Sequence, residues 1–307
     1  MTRVAAIDCG TNSIRLLVAD VAGDSLTDVE RRMKIVRLGE GVDRTGRLAA
    51  EAIERTRTAL KGYADEIARL GAERVRMVAT SATRDAANAT DFHDMVTATL
   101  GVEPEVISGD EEARLSFTGA IRGLPADLPG PYLVVDIGGG STEFVRGTDT
   151  VDAALSVDIG CVRMTERHLH SDPPTPEQVA AAEADIAAGV DRALATVNGR
   201  RAGTLVGLAG SVTTVAGIAL DLPAYDPARI HHARIGYPDV AKVSADLLAA
   251  TRAERLAIPV MHPGRADVIG AGALILRVIM QRAGFDAVIA SEHDILDGIA
   301  FHLLASG

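Results

Sequence analysis

Two short apolar runs, each followed by a turn of small residues, set the rhythm of this chain. Val4 to Ile7 ends in Asp8, passes through Cys9-Gly10-Thr11-Asn12-Ser13, and resumes as Ile14 to Val18. Leu133 to Val135 ends in Asp136, passes through Gly138-Gly139-Gly140-Ser141, and restarts at Phe144 and Val145. Short apolar runs rich in β-branched residues predict strands buried on both faces. A break and restart of this kind predicts a β-hairpin, and Asp-x-Gly-x-x-Ser occurs in both, as Asp8, Gly10, Ser13 and as Asp136, Gly138, Ser141. The chain therefore reads as two similar halves.

The pattern between the hairpins is mixed α/β. A third strand follows near Ser25–Val36. Ala49 to Leu70 carries Ile53, Leu60, Ile67 and Leu70 at helical spacing, and Gly71 stops it. Val75–Ala79 reads as a strand, Asp91–Leu100 as a helix, Val102–Ile107 as a strand, and a further helix begins at Asp110. Gly123 to Pro131 is rich in proline and glycine and reads as a linker. Two domains are thus expected, 1–122 and 123–296, with a terminal helix at about 297–307 packing back on the first. In the second domain, Val151–Val157 predicts a strand and Gly160–Leu169 a helix. Thr175 to Val197 predicts a longer helix, with Pro176 at its first position. Thr204–Leu208 and Ala287–Ala290 predict strands, Arg265–Arg282 a buried helix, and the last helix should end near Ser306.

Composition narrows the function classes. The 307 residues hold 31 basic and 42 acidic side chains, a net charge of −11, which argues against a general nucleic-acid or membrane-surface binder. Aromatics are 3% and Trp is absent, so the core must be built from Ala, Val, Leu and Ile. Cys9 and Cys161 are too few for a disulfide framework, which favours a reducing, cytoplasmic setting. The longest apolar stretch, Val268 to Leu276, is too short to span a bilayer, so a soluble protein is expected.

The glycine turns carry the chemistry. Gly138, Gly139 and Gly140 are expected to adopt positive φ and let successive N–H groups meet a phosphate, without the lysine of a P-loop. Two facing hairpins would make a cleft in which Asp8 and Asp136 hold Mg²⁺. Arg84, after a run of capping residues, reads either as solvated or as a clamp on phosphate oxygens. Asp110, Glu111 and Glu112 open a helix. Their bland reading is dipole complementation, but Glu111 and Glu112 project about 100° apart, so one can face solvent while the other serves as a base. Gly210 and Ser211, after the Thr204–Leu208 strand, suit either a phosphate at a helix N-terminus or a close-packed turn. His231 and His232, with no neighbouring Cys or His in sequence, are poor metal ligands.

Six segments in order, DCGTNSIRLLV, TSATRDAAN, ISGDEEARLSF, VVDIGGGSTEF, GLAGSVTT and SEHDILDGI, resemble the exopolyphosphatase and guanosine pentaphosphate phosphohydrolase family across essentially the whole chain. The short, alanine-rich form is similar to actinobacterial members that lack extra C-terminal helical domains. The resemblance implies two ribonuclease-H-like α/β domains of the actin, Hsp70 and sugar-kinase superfamily around a cleft. It implies Glu112 as general base, with Glu111 its solvated neighbour, and Glu143 as a second acid in catalysis or metal placement. It further implies Asp8 and Asp136 at the metal, Arg84 on phosphate, and Asn12, Ser13 and Gly138 to Ser141 as phosphate loops. The family commonly has Glu-Gly where this chain has Asp297-Gly298. The implied activity is release of terminal orthophosphate from inorganic polyphosphate, with Mg²⁺ or Mn²⁺. A pppGpp 5′-phosphohydrolase is the alternative, and a small-molecule kinase and a nucleotide-gated scaffold are more distant ones. Whether the chain forms a homodimer is left open.

Overall fold

The computed structural model describes residues 2–23 and 25–305, and the chain divides into two compact units, Met1–Arg122 with Asp294–Gly307, and Gly123–His293. The first unit opens on an antiparallel meander, β1 (Thr2–Cys9), β2 (Ser13–Ala22) and β3 (Ser25–Ile35). A short helix α1 (Val42–Thr45) and the long α2 (Ala50–Leu70) lead to β4 (Arg74–Ala79), which lies parallel to β1. Then follow α3 (Ser81–Arg84), α4 (Ala89–Leu100), β5 (Glu105–Val106) and α5 (Gly109–Ile121), giving the sheet order β3-β2-β1-β4-β5. β5 is shorter than its apolar pattern predicts, because Pro104 has no N–H to give to the ladder.

Alternation along β1 explains why both its faces are buried. Ala5, Ile7 and Cys9 pack with Leu60, Tyr63 and Ile67 of α2 and Phe92 of α4, while Val4 and Ala6 pack with Leu115 of α5 and with the chain's last helix.

The second unit repeats the plan. β6 (Tyr132–Ile137), β7 (Thr142–Gly147) and β8 (Val151–Val157) form an antiparallel meander followed by α6 (Cys161–His168) and α7 (Pro176–Val197). Thr175 and Gln178 close a capping box at the start of α7. β9 (Thr204–Leu208) lies parallel to β6 and feeds α8 (Ala209–Ala219). After α9 (Pro227–Ile230), β10 (Arg234–Gly236), α10 (Tyr237–Ala249), α11 (Arg252–Leu256) and α12 (Ile269–Ala283), β11 (Ala287–Ala290) runs parallel to β9, and β10 lies antiparallel on its outer edge. The order β8-β7-β6-β9-β11 thus matches β3-β2-β1-β4-β5, with β10 added. Both units are ribonuclease-H-like. The buried helix predicted from Arg265 begins at Ile269 instead, since Pro263, Gly264 and Arg265 form a separate 3-10 turn.

The chain returns to the first unit at Asp294, three residues before the predicted boundary, through α13 (Ile295–Ala305). Its predicted end at Ser306 lies outside the described residues. An added Cβ on Gly119 of α5 would lie 1.8 Å from the Asp294 carbonyl, and one on Gly298 would lie 2.0 Å from the Leu115 carbonyl. Only glycine at both positions permits so close a crossing of α5 and α13. Among the described residues, no helix is long and apolar enough to cross a membrane.

Candidate active site

In the first unit, the β1–β2 register places Arg15 directly opposite Asp8. Arg15 donates to Asp8 Oδ2 through Nε at 3.1 Å and Nη2 at 2.7 Å, and its Nη1 reaches Asp294. Burial pushes the Asp8 carboxyl above its ordinary value, and Arg15 pulls against that. The turn itself is held by its carbonyls. Thr11 O accepts from Gly39 N–H, and Asn12 O accepts from Val36 and Arg37 N–H groups. The Thr11 and Asn12 N–H groups have no partner among the described residues.

Arg84 and Glu112 come together in the same unit. Ser108 caps α5 through the Glu111 N–H, which sets the first turn and turns its two glutamates apart. Glu112 is 8% exposed and lies 3.3 Å from Arg84 Nη1, which also donates to the Ile107 carbonyl at 2.9 Å. Nε and Nη2 of Arg84 have no partner among the described residues, so the fork keeps donors for a phosphate. Glu111 instead accepts from Arg76 at 2.7 Å, its side chain 44% exposed, so it is ion-paired rather than merely solvated.

The hairpin of the second unit differs in charge. Opposite Asp136 stands Glu143, not an arginine, and both carboxylates are buried. Directly opposed side chains share a face with Cβ atoms about 4.5–5.5 Å apart, an unfavourable place for two like charges. Ser156, across from Glu143 on β8, donates its hydroxyl to Glu143 at 2.7 Å. Two buried carboxylates on one face are hard oxygen donors of the kind Mg²⁺ takes in ones and twos, alongside water and phosphate oxygens, so the residues fit such an ion. Among the described residues, no cluster of three or more potential ligands forms an all-protein cage.

The glycine turn is docked on the start of α6. Gly138 O accepts from Cys161 N–H at 2.9 Å, Gly139 O from Val162 and Arg163 N–H groups, and Gly140 O from Arg163 Nε at 2.7 Å. In a trans peptide the N–H points opposite to the carbonyl. The N–H groups of Gly139, Gly140 and Ser141 therefore point away from α6, and they have no partner among the described residues. Three successive N–H groups on one side of a turn are the kind of donors that can take an anion. Contrary to the sequence expectation, none of Gly138, Gly139 and Gly140 adopts positive φ. Space is tight instead: a Cβ on Gly138 would lie 3.1 Å from the Ser141 carbonyl oxygen, and the turn's seat on α6 requires glycine at 160, where a Cβ would lie 2.3 Å from the Gly139 carbonyl.

Gly210 and Ser211 are occupied within the protein. The Arg265 guanidinium covers Gly210, where a Cβ would lie 2.3 Å from Cζ, and donates to Thr214 at 3.3 Å. Ser211 is buried with its hydroxyl against Gly272 of α12, the packing of a close βα turn. His231 stacks on His232 at 3.6 Å between ring centroids and on His293 at 4.4 Å, a partner its sequence neighbourhood did not show.

Residues 17–306 match the model of the Ppx/GppA phosphatase family. The chain belongs to that family. Among its relatives, exopolyphosphatase 2 of Mycobacterium tuberculosis is 53% identical, over 99% of each chain. A crystal structure of an exopolyphosphatase-like protein is 44% identical with a TM-score of 0.95, covering 98% of both chains. That of the Aquifex aeolicus Ppx/GppA family member is 32% identical with a TM-score of 0.83, covering 99% of this chain and 98% of the other. Within this member of the Ppx/GppA family, sequence reading missed Arg15, Arg163 and Arg265. Arg15 was accessible to hairpin arithmetic, because a turn centred on residues 11 and 12 puts it opposite Asp8. Nothing in the spacing of Arg163 or Arg265 signals their contacts, which depend on how α6 and the turn before α12 pack.

Proposed function

We propose that this protein is an exopolyphosphatase, which releases terminal orthophosphate from inorganic polyphosphate by attack of water. The observation that carries the reading is the buried Glu112 carboxylate held beside Arg84, in a chain that aligns end to end with a protein named exopolyphosphatase 2. In this reading Glu112 takes a proton from the attacking water, the water oxygen bonds to the terminal phosphorus, and the bridging oxygen leaves on the shortened chain. In the first unit Arg84 offers donors to phosphate oxygens, and in the second the N–H groups of Gly139, Gly140 and Ser141 do so. Asn12 and Ser13 contribute further donors from the first turn. Asp136 and Glu143 would hold Mg²⁺ or Mn²⁺, which when bound neutralises phosphate charge, while Asp8 in the first unit is paired with Arg15. The protein would act in the cytoplasm on a free polyanion, and sedimentation tests whether it is a homodimer.

Orthophosphate release should be measured side by side on short polyphosphate, long polyphosphate, pppGpp and ATP. The expected result is the highest kcat/KM on a polyphosphate, with no acceptor required. A higher kcat/KM on pppGpp would replace this reading with a nucleoside polyphosphate phosphohydrolase. Transfer of the phosphoryl group to an added acceptor, with no orthophosphate released, would make the protein a kinase.

A further inference from the structure

The three carbonyls of the Gly138–Ser141 turn are not held alike. Two are fixed by backbone N–H groups of α6, which any sequence forming that helix would supply. The third, Gly140 O, has no backbone donor and is held by the side chain of Arg163 at 2.7 Å. The peptide it belongs to carries the Ser141 N–H, the last of the three donors. Rotating that peptide changes ψ of Gly140, which has no Cβ to restrict it, together with φ of Ser141, so it is freer than a peptide between two residues that both carry a Cβ. Turned over, it would present a carbonyl oxygen where the N–H now points, putting a repelling dipole in front of a phosphate.

Building on the exopolyphosphatase reading, we propose that Arg163 is a positioning residue for phosphoryl transfer. It touches no substrate; by holding Gly140 O it aims the Ser141 N–H at a phosphate oxygen. A charge-assisted bond from a guanidinium is about twice as strong as a neutral one, which suits the one peptide that the helix leaves loose. Arg163 sits in the first turn of α6, so the same short helix fixes all three peptides.

The test compares Arg163→Met and Arg163→Lys with the wild type, by kcat and KM on a short polyphosphate, thermal melts, and a crystal structure of Arg163→Met. Loss of one preorganised donor lowers kcat by roughly 10- to 100-fold, at or below the low end of what deleting an oxyanion-type donor costs. KM should change much less, melting should shift little, and Arg163→Lys, which keeps a cationic donor, should recover most of kcat. The crystal structure should show the Gly140–Ser141 peptide turned or split between two orientations. A kcat for Arg163→Met within twofold of wild type overturns the proposal, as does a crystal structure with Gly140 O in its wild-type place. If Arg163→Met does not fold, Arg163→Lys decides: near-wild-type kcat supports the proposal, and a folded protein with kcat lost overturns it. If the wild type hydrolyses no polyphosphate, the function reading fails, while the peptide orientation still tests the role of Arg163.

Discussion

Asp136 and Glu143 stand directly opposite each other on adjacent strands with almost no access to water, and two ionised carboxylates there cost stability unless a cation or proton lies with them. At the equivalent point of the other hairpin Asp8 faces Arg15 at 2.7 Å, so the cross-strand partner is a cation in one unit and a second carboxylate in the other. This asymmetry yields a test that does not depend on turnover. Without divalent metal, Asp136→Asn should melt higher than wild type, and saturating Mg²⁺ should raise the wild-type Tm but barely move the variant. Equal Mg²⁺ shifts in both proteins would place the ion elsewhere. Orthophosphate release should also vanish in EDTA and return with Mg²⁺ or Mn²⁺. The type and spacing of these acids were legible in the sequence. So, by counting from each turn's centre, were their differing partners Arg15 and Glu143; their burial was not, because it depends on how each sheet is packed.

At the level of elements, α13 is tied to its unit by a small network of buried charge. Asp294 Oδ1 accepts from Leu296 N–H at 3.0 Å, and Asp297 Oδ2 accepts from Asp294 N–H at 2.9 Å, a reciprocal cap in which aspartate stands where glutamate is usual. Arg31 binds Asp297 at 2.7 Å from β3. Asp297 is thus bound into the network that ties α13 to the rest of its unit. Breaking a buried pair costs about 3–5 kcal/mol, but Arg31 is 29% exposed, so Arg31→Met should cost about 1–3 kcal/mol by urea unfolding. Burial raises the Asp294 carboxyl, yet Arg15 and Arg31 outweigh it and hold the group below its ordinary value. Its contribution to stability is therefore present above the unfolded carboxylate value of about 3.9 and is lost as pH falls below it. Asp294→Asn should flatten the loss of stability below pH 4, and an unchanged acid limb would contradict that assignment. Elements with strong periodicity, such as the two hairpins, α2 and α7, could be read directly. β5 could not, because Pro104 interrupts its pattern, nor could the start of α12, because Pro263–Arg265 form a 3-10 turn ahead of it. α10 escaped notice because its core face, Val240, Val243, Leu247 and Leu248, is diluted by small and polar residues.

Across the whole molecule, a net charge of −11 opposes a polyanion, so affinity must come from local donors rather than from a broad attractive field. With phosphate held by a few local donors, as proposed, units further along the substrate add little. kcat/KM should therefore be higher on short polyphosphates than on chains of hundreds of units, and the reverse order would reveal an extended basic track. The central claim is that Glu112 activates water, and kcat of Glu112→Gln against Glu111→Gln on one short polyphosphate tests it most directly, with melts to confirm folding. Glu112→Gln keeps size but removes basicity, and kcat should fall by roughly 10²–10⁴ with KM little changed. Glu111→Gln, which loses part of an exposed pair with Arg76 and about 0.3–1 kcal/mol of helix-dipole stabilisation, should keep nearly wild-type kcat. A dead Glu111→Gln enzyme, or near-wild-type kcat in Glu112→Gln, would contradict the account.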